Sequence, residues 1–198
     1  MAVPSPSSPP PPGKGDLRAE GLRLRRAFAQ SLTPELRAAL EAELARLVLP
    51  HLAGARTVAA YHPLKDEISP AAILAELGPG QRHAFPWFAH RDAQFVWREG
   101  PASEPSPWGV LQPPPEAEAL APDIVLVPIV LADRHGARIG HGKGHYDRAL
   151  AHLREGGTAV TTIGLCWESQ LSDLALPADP WDVKLDAIAT PKEWVTCG

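Results

Sequence analysis

Apolar positions recur at helical spacing in one set of segments and alternate, or run almost unbroken, in another. Leu22 with Arg25, Arg26 and their neighbours predicts a basic amphipathic helix. Thr33-Pro34-Glu35 restarts the chain, with Thr33 suited to an N-cap and Pro34 to the first helical position. Leu36, Leu40, Leu44 and Leu47 then form an apolar face, and Pro50 ends that helix. Ser69-Pro70 opens a short helix that ends at Gly78. Tyr146, Ala149, Leu150 and Leu153 fall at i, i+3, i+4 and i+7 of a further helix, which Gly156-Gly157 ends. Between these lie predicted strands at residues 56–61, 83–88, 94–98 and 159–166, with Arg91-Asp92 making a hairpin of the second and third. Residues 123–131 are a near-continuous apolar run, as in a strand buried on both faces. Residues 181–191 alternate and end the fold. Strands alternating with helices predict an α/β protein: a three-layer, mostly parallel sheet with helices on both faces.

Composition narrows this picture. The 198 residues fit one domain with a sizeable core. Net charge is −4 with no basic block, which argues against a nucleic-acid partner. No apolar run approaches the ~20 residues of a membrane span. Cys166 and Cys197 show neither metal-ligand nor CxxC spacing, so plain thiols in a reducing cytoplasm are expected. The start of the chain is rich in Pro and Ser, with Pro9 through Pro12 consecutive. Residues 1–15 are therefore expected to be a disordered or extended tail, and residues 16–198 a single domain.

The chemistry centres on Arg138-Ile139-Gly140-His141-Gly142-Lys143-Gly144-His145-Tyr146-Asp147-Arg148. It follows the long apolar strand and a polar turn, residues 133–136, and it leads into a helix. Glycines let a ligand approach the backbone, successive N–H groups make an anion-binding concavity, and a helix start adds free N–H groups and partial positive charge. Lys143, Arg138 and Arg148 add full charges, so a polyphosphate is the natural ligand. The stretch is not a Walker A loop, because Gly144 follows Lys143 and Ala137 stands where the first glycine belongs. Nor is it a dinucleotide fingerprint, because the third glycine comes one residue early. His141 and His145 are not read as zinc ligands, since the intervening glycines oppose a helix that would align them.

Gly-x-Gly-Lys-Gly-x-Tyr-Asp, preceded by Asp-x-x-Gly-x-Arg-x, resembles the signature of the 5-formyltetrahydrofolate cyclo-ligase family. Here it runs from Val127-Pro128 through Asp133, Gly136 and Arg138 to Leu150, with Ala132 in place of the usual aromatic. Trp108-Gly109-Val-Leu-Gln112-Pro113 resembles the family's aromatic-Gly-x-x-Glu-Pro, with Gln112 for the acid. The end of the chain resembles Asp-x-x-x-Asp-x-x-x-Thr-Pro, from Asp182 to Pro191.

The resemblance covers roughly residues 18–194 and implies a fold akin to ribose-phosphate isomerase and coenzyme A transferase. It implies ATP-dependent conversion of 5-formyltetrahydrofolate to 5,10-methenyltetrahydrofolate, with Mg²⁺ held by Asp147 and Asp182. It places Lys143 and Arg138 at the transferring phosphoryl group. Residues 138–146 contact ATP and, from His141 to His145, folate as well; His62, Glu67 and Trp108 complete the folate site. The family's N-terminal Lys-x-x-Leu-Arg binds ATP phosphates. Lys14-Gly-Asp-Leu17-Arg18 fits it literally but stands too far from Thr33, so Arg23, with Arg18 standing in for the lysine, is the expected match. The expected partner is a reduced folate, polyglutamylated or not, acting on a monomeric chain. Two other readings stay open: a family member that binds folate or nucleotide without turnover, and a sugar-phosphate isomerase or coenzyme A transferase on the same scaffold.

Overall fold

A computed structural model describes residues 12–157 and 159–198. The expected tail therefore lies mostly outside the described residues. Its boundary moves, because helix α1 (Lys14–Ser31) already starts at Lys14. Helix α2 (Pro34–Val48) follows, with Thr33 as N-cap accepting a hydrogen bond from the Leu36 amide at 3.2 Å. Its core face is Leu44, Ala45 and Val48, backed by Leu40, whereas Leu36 is 48 % exposed and Leu47 half-buried. The apolar stripe expected from the leucines is thus rotated, because Ala45 and Val48 are the residues that meet the sheet.

The remaining elements are β1 (Thr57–Ala59), α3 (Ala71–Ala75), β2 (Arg82–Trp87), β3 (Val96–Glu99), β4 (Glu104–Pro105), β5 (Leu111–Gln112), β6 (Ile124–Pro128), β7 (Leu131–Asp133), β8 (Arg138–Ile139), α4 (His145–Glu155), β9 (Thr161–Leu165), β10 (Leu171–Ser172), β11 (Ala187–Ala189) and β12 (Trp194–Thr196). The main sheet has the order β12-β11-β9-β6-β1-β2-β3. Its interior pairs are parallel, and its two outermost pairs, β2–β3 and β11–β12, are antiparallel. One core packs α2, α3 and Phe28 of α1 against one face, and a second packs α4, Phe95 and Trp97 against the other. This is the expected three-layer α/β fold.

Two expectations fail in detail. The apolar run at 123–131 is not one strand. It breaks after Pro128, which lacks the N–H that a central strand needs, and resumes as β7 in a small second sheet of order β10-β7-β8. Nor do residues 181–191 end the fold, since β12 follows and pairs with β11.

The break serves the loop beyond it. β7 and β8 form a hairpin with Leu131 opposite Ile139 and Ala132 opposite Arg138. Buried Asp133 closes its turn by accepting the His135 and Ala137 amides at 2.9 and 3.0 Å. Helix α1 lies against this hairpin across Gly21, where a Cβ would stand 2.7 Å from the Val130 carbonyl and 3.1 Å from Leu131 Cβ. Gly21→Ala is expected to force α1 outward and lower stability by about 1–3 kcal/mol, a loss of several degrees in Tm. Thermal melts of the two proteins check this, and an unchanged Tm would show that α1 does not need the close approach.

Candidate active site

Strand order places a cleft. From β1 the chain steps one way to β2 and later resumes on the other side at β6 and β9, so the order reverses between β1 and β6. Such a switch point opens a crevice at the carboxyl ends of the strands. There Tyr61 and His62 after β1, Phe88 after β2, and Val127 and Pro128 of β6 line a cleft of about 1000 Å³.

The glycine loop forms one wall. Gly142 and Gly144 have φ of +83° and +64°, conformations that side chains rarely adopt, and Gly144 is the N-cap of α4 without a capping side chain. The first amides of α4 therefore remain free for a ligand. Arg18 covers the loop: its Nε donates to the Gly140 carbonyl at 2.8 Å, and a Cβ on Gly142 would meet its guanidinium carbon at 3.0 Å. Lys143 carries no ion pair among the described residues, and its Nζ lies 5.7 Å from the Trp108 ring centroid.

Arg138 and Asp147 meet each other. Arg138 donates to Asp147 Oδ1 at 2.7 Å and to the Val183 carbonyl. Burial lowers the pKa of this guanidinium. The Val183 amide reaches the same Asp147 oxygen at 3.2 Å, so the pair ties the loop to the C-terminal segment. Asp182 accepts the Asp179 amide at 2.7 Å and Lys14 Nζ, and Lys14 also reaches Asp179 at 2.6 Å. Burial opposes the charge on Lys14, but the hydrogen bonds to Asp179 and Asp182 outweigh it and hold the ammonium above its usual pKa. Burial would likewise raise Asp182, yet the Lys14 and Asp179 hydrogen bonds hold it below the usual carboxylate range.

Of the N-terminal basic candidates, Lys14 and Arg18 thus line the cleft and Arg23 does not. Arg23 sits on an exposed face of α1, paired with Glu20 at 2.6 Å. The signal was available: Lys14, Arg18, Gly21 and Arg25 follow i, i+4, i+7, i+11, one stripe of a helix. Spacing to Thr33 misled because α1 continues to Ser31.

Arg25 was missed altogether as a site residue. It is 2 % exposed and donates to Glu67 at 3.0 Å and to Asp66 at 3.1 Å. Glu67 is 5 % exposed; its second oxygen accepts the Leu64 amide at 2.8 Å, and His141 Nε2 lies 3.4 Å from the first. Arg37 of α2 donates to the Lys65 and Glu67 carbonyls, fixing this loop from outside. Glu67 is therefore a held group at the cleft wall.

The start of α4 packs into an aromatic cluster. His145 packs edge-on against Phe88 and Trp108, each at 5.2 Å, and Tyr146 against Phe95 at 5.4 Å. Arg148 donates to His145 Nδ1 at 3.1 Å, which leaves the proton on Nε2, a buried donor with no protein partner. Burial, helped by Arg148 and Lys143, lowers the His145 pKa and keeps the ring neutral. Trp108 lines the cleft; Gln112 is structural, its amide pairing in both directions with the Phe88 backbone at 3.0 and 3.4 Å.

No three acidic, His or Cys side chains gather as a metal cage among the described residues. Asp147 Oδ2 and Asp182 Oδ1, however, accept no hydrogen bond from the described residues, and both residues line the cleft. Such a hard-oxygen pair fits Mg²⁺, which binds through one or two carboxylates while phosphates and water fill its other positions.

A glycine-lined helix start, basic side chains, carboxylates and aromatic rings thus meet in one cleft at the switch point of an α/β sheet. Residues 11–191 match the 5-formyltetrahydrofolate cyclo-ligase family. The 5-formyltetrahydrofolate cyclo-ligase of Mycolicibacterium smegmatis is 31 % identical, over 93 % of this chain and 97 % of that protein. The solution structure of Aquifex aeolicus 5,10-methenyltetrahydrofolate synthetase superposes with a TM-score of 0.75 at 26 % identity, covering 92 % of each chain. The Mycoplasma pneumoniae synthetase gives 0.68 at 26 %, covering 90 % of this chain and 98 % of that one. This chain belongs to the 5-formyltetrahydrofolate cyclo-ligase family.

The Arg25–Glu67 pair yields a stability test. Glu67→Ala leaves a buried guanidinium with Asp66 alone and is expected to cost about 3 kcal/mol, whereas Glu67→Gln, which keeps one acceptor, costs less. Urea unfolding measures both, and midpoints equal to that of the parent would show that the pair carries no weight.

Proposed function

We propose that this chain converts 5-formyltetrahydrofolate to 5,10-methenyltetrahydrofolate with cleavage of ATP to ADP and phosphate. The observation that carries this reading is one cleft lined by a cationic glycine loop at a helix start, by the rings of Phe88, Phe95 and Trp108, and by the held carboxylate of Glu67. Phosphates sit on the free amides of α4, with Lys143 and Arg18 supplying charge. The pterin lies against Phe88, Trp108 and Tyr146, and Glu67, fixed by Arg25, accepts its N–H groups. His62 and His141 stand beside it at the mouth.

The formyl oxygen takes the terminal phosphoryl group. N10 of the folate then attacks the activated carbon, and phosphate leaves. Phosphoryl transfer asks for positioning and charge neutralisation more than for a protein nucleophile. Lys143 is the uncommitted cation that can follow the moving charge. Arg138 acts through Asp147 as a positioning residue, which changes the direct role expected for it. Asp147 and Asp182 would hold the Mg²⁺ that accompanies ATP, and that ion would supply neutralisation of phosphate charge. No helix of the described residues is long and apolar enough to cross a membrane; a monomer working in the cytoplasm is the proposed setting.

Absorbance of the methenyl product, with and without ATP and Mg²⁺, tests the reaction. Product only with ATP is expected, and product at equal rate without it would overturn the reading. Lys143→Ala is expected to lower kcat/KM by about 10- to 150-fold, the loss of one charge-assisted contact of ~1.5–3 kcal/mol, with Tm unchanged. Unchanged kinetics would remove Lys143 from the site. Glu67→Gln should raise KM for the folate and leave KM for ATP in place; equal rises for both substrates would count against the folate assignment.

A further inference from the structure

Trp181 is a large apolar side chain without structural employment. It is 71 % exposed, yet it lines the cleft beside Asp179, Asp182 and Lys14. No ring or cation packs against it among the described residues, whereas Trp108, the other tryptophan of the cleft, already meets Phe88, His145 and Arg91.

Helix α1 sets the order of groups along the cleft. Lys14 touches Asp179 and Asp182, Arg18 touches Gly140, and Arg25 touches Glu67. At 1.5 Å of rise per residue, Lys14 stands about 6 Å from Arg18, and Arg25 about 10 Å beyond it on the other side. The glycine loop therefore lies between a Trp181–Asp182 end and a Glu67 end. The reacting phosphoryl group must meet the formyl group on the Glu67 side of the loop. The nucleoside then extends toward the other end, where Trp181 offers a bare indole face.

We propose that Trp181 is the stacking platform for the adenine base, and so a specificity-determining residue for the nucleotide. This rests on the ATP reading above. A purine stacked on an indole buries a π-face that would otherwise stay in water, which favours the bound nucleotide. An aromatic platform accepts any base, so it favours nucleotides over base-free polyphosphates and discriminates weakly among purines.

The test uses Trp181→Ala and Trp181→Phe in the full chain, with inorganic tripolyphosphate as a base-free competitor of ATP. Trp181→Ala is expected to raise KM for ATP about tenfold, within the range stacking allows. Under the same proposal kcat, KM for 5-formyltetrahydrofolate and the inhibition constant of tripolyphosphate hold, and Trp181→Phe restores most of the ATP affinity. An unchanged KM for ATP would overturn the proposal. So would a rise in KM for the folate alone, which would put the indole over that substrate, or an equal weakening of tripolyphosphate, which would mean the loop had moved. Parent enzyme that turns over without ATP would overturn the ATP reading itself, and that result is seen before any variant is made.

Discussion

The site depends on how closely α1 can approach the β7–β8 hairpin. Gly21 makes that contact, and any side chain there would collide with the backbone of Val130. With the helix seated, its stripe of Lys14, Arg18 and Arg25 reaches the two carboxylates of the C-terminal segment, the glycine loop and Glu67 in turn. A helix displaced by an ångström or two would withdraw all three cations together. The hairpin is equally a product of the break after Pro128, which turns a central strand into the support of a ligand loop.

Seated this way, the cations are mostly committed to carboxylates. Lys14 holds Asp179 and Asp182, Arg138 holds Asp147, and Arg25 holds Glu67 and Asp66. Each pair fixes a group in the geometry a ligand will meet, so that little reorganisation is left for the moment of reaction. Arg18 holds the Gly140 carbonyl instead, and Lys143 has no ion-pair partner among the described residues and lies over the Trp108 ring. Buried pairs are weak sources of stability, because desolvation offsets their attraction, but they are costly to break on one side. That asymmetry makes the Arg25–Glu67 contact a means of orienting Glu67.

Much of this was legible in the sequence, because local pattern carries it. The alternation of helices and strands, the Thr33 cap, the helix face of Tyr146, Ala149, Leu150 and Leu153, and the glycine loop are read within a few residues. What escaped was non-local. The rotation of α2 toward Ala45 and Val48 is decided by the sheet it meets. The end of β6 is decided by Pro128 in a run that otherwise looks continuous. Lys14 was discounted on spacing to a distant cap when its own helical stripe was the better guide. The burial of Glu67 escaped because its partner, Arg25, lies on a helix far from it in the chain. The Asp147–Arg138 contact, too, follows from topology and from no spacing in the chain.

The central claim is that this cleft transfers a phosphoryl group to the formyl oxygen of the folate. It is tested most directly by placing ¹⁸O in the formyl group and analysing the inorganic phosphate released in one turnover. The account predicts phosphate carrying the ¹⁸O atom, because the oxygen that accepts the phosphoryl group leaves with it. Unlabelled phosphate would contradict it, since ATP would then be cleaved by water and the cations along α1 and the glycine loop would serve some other end.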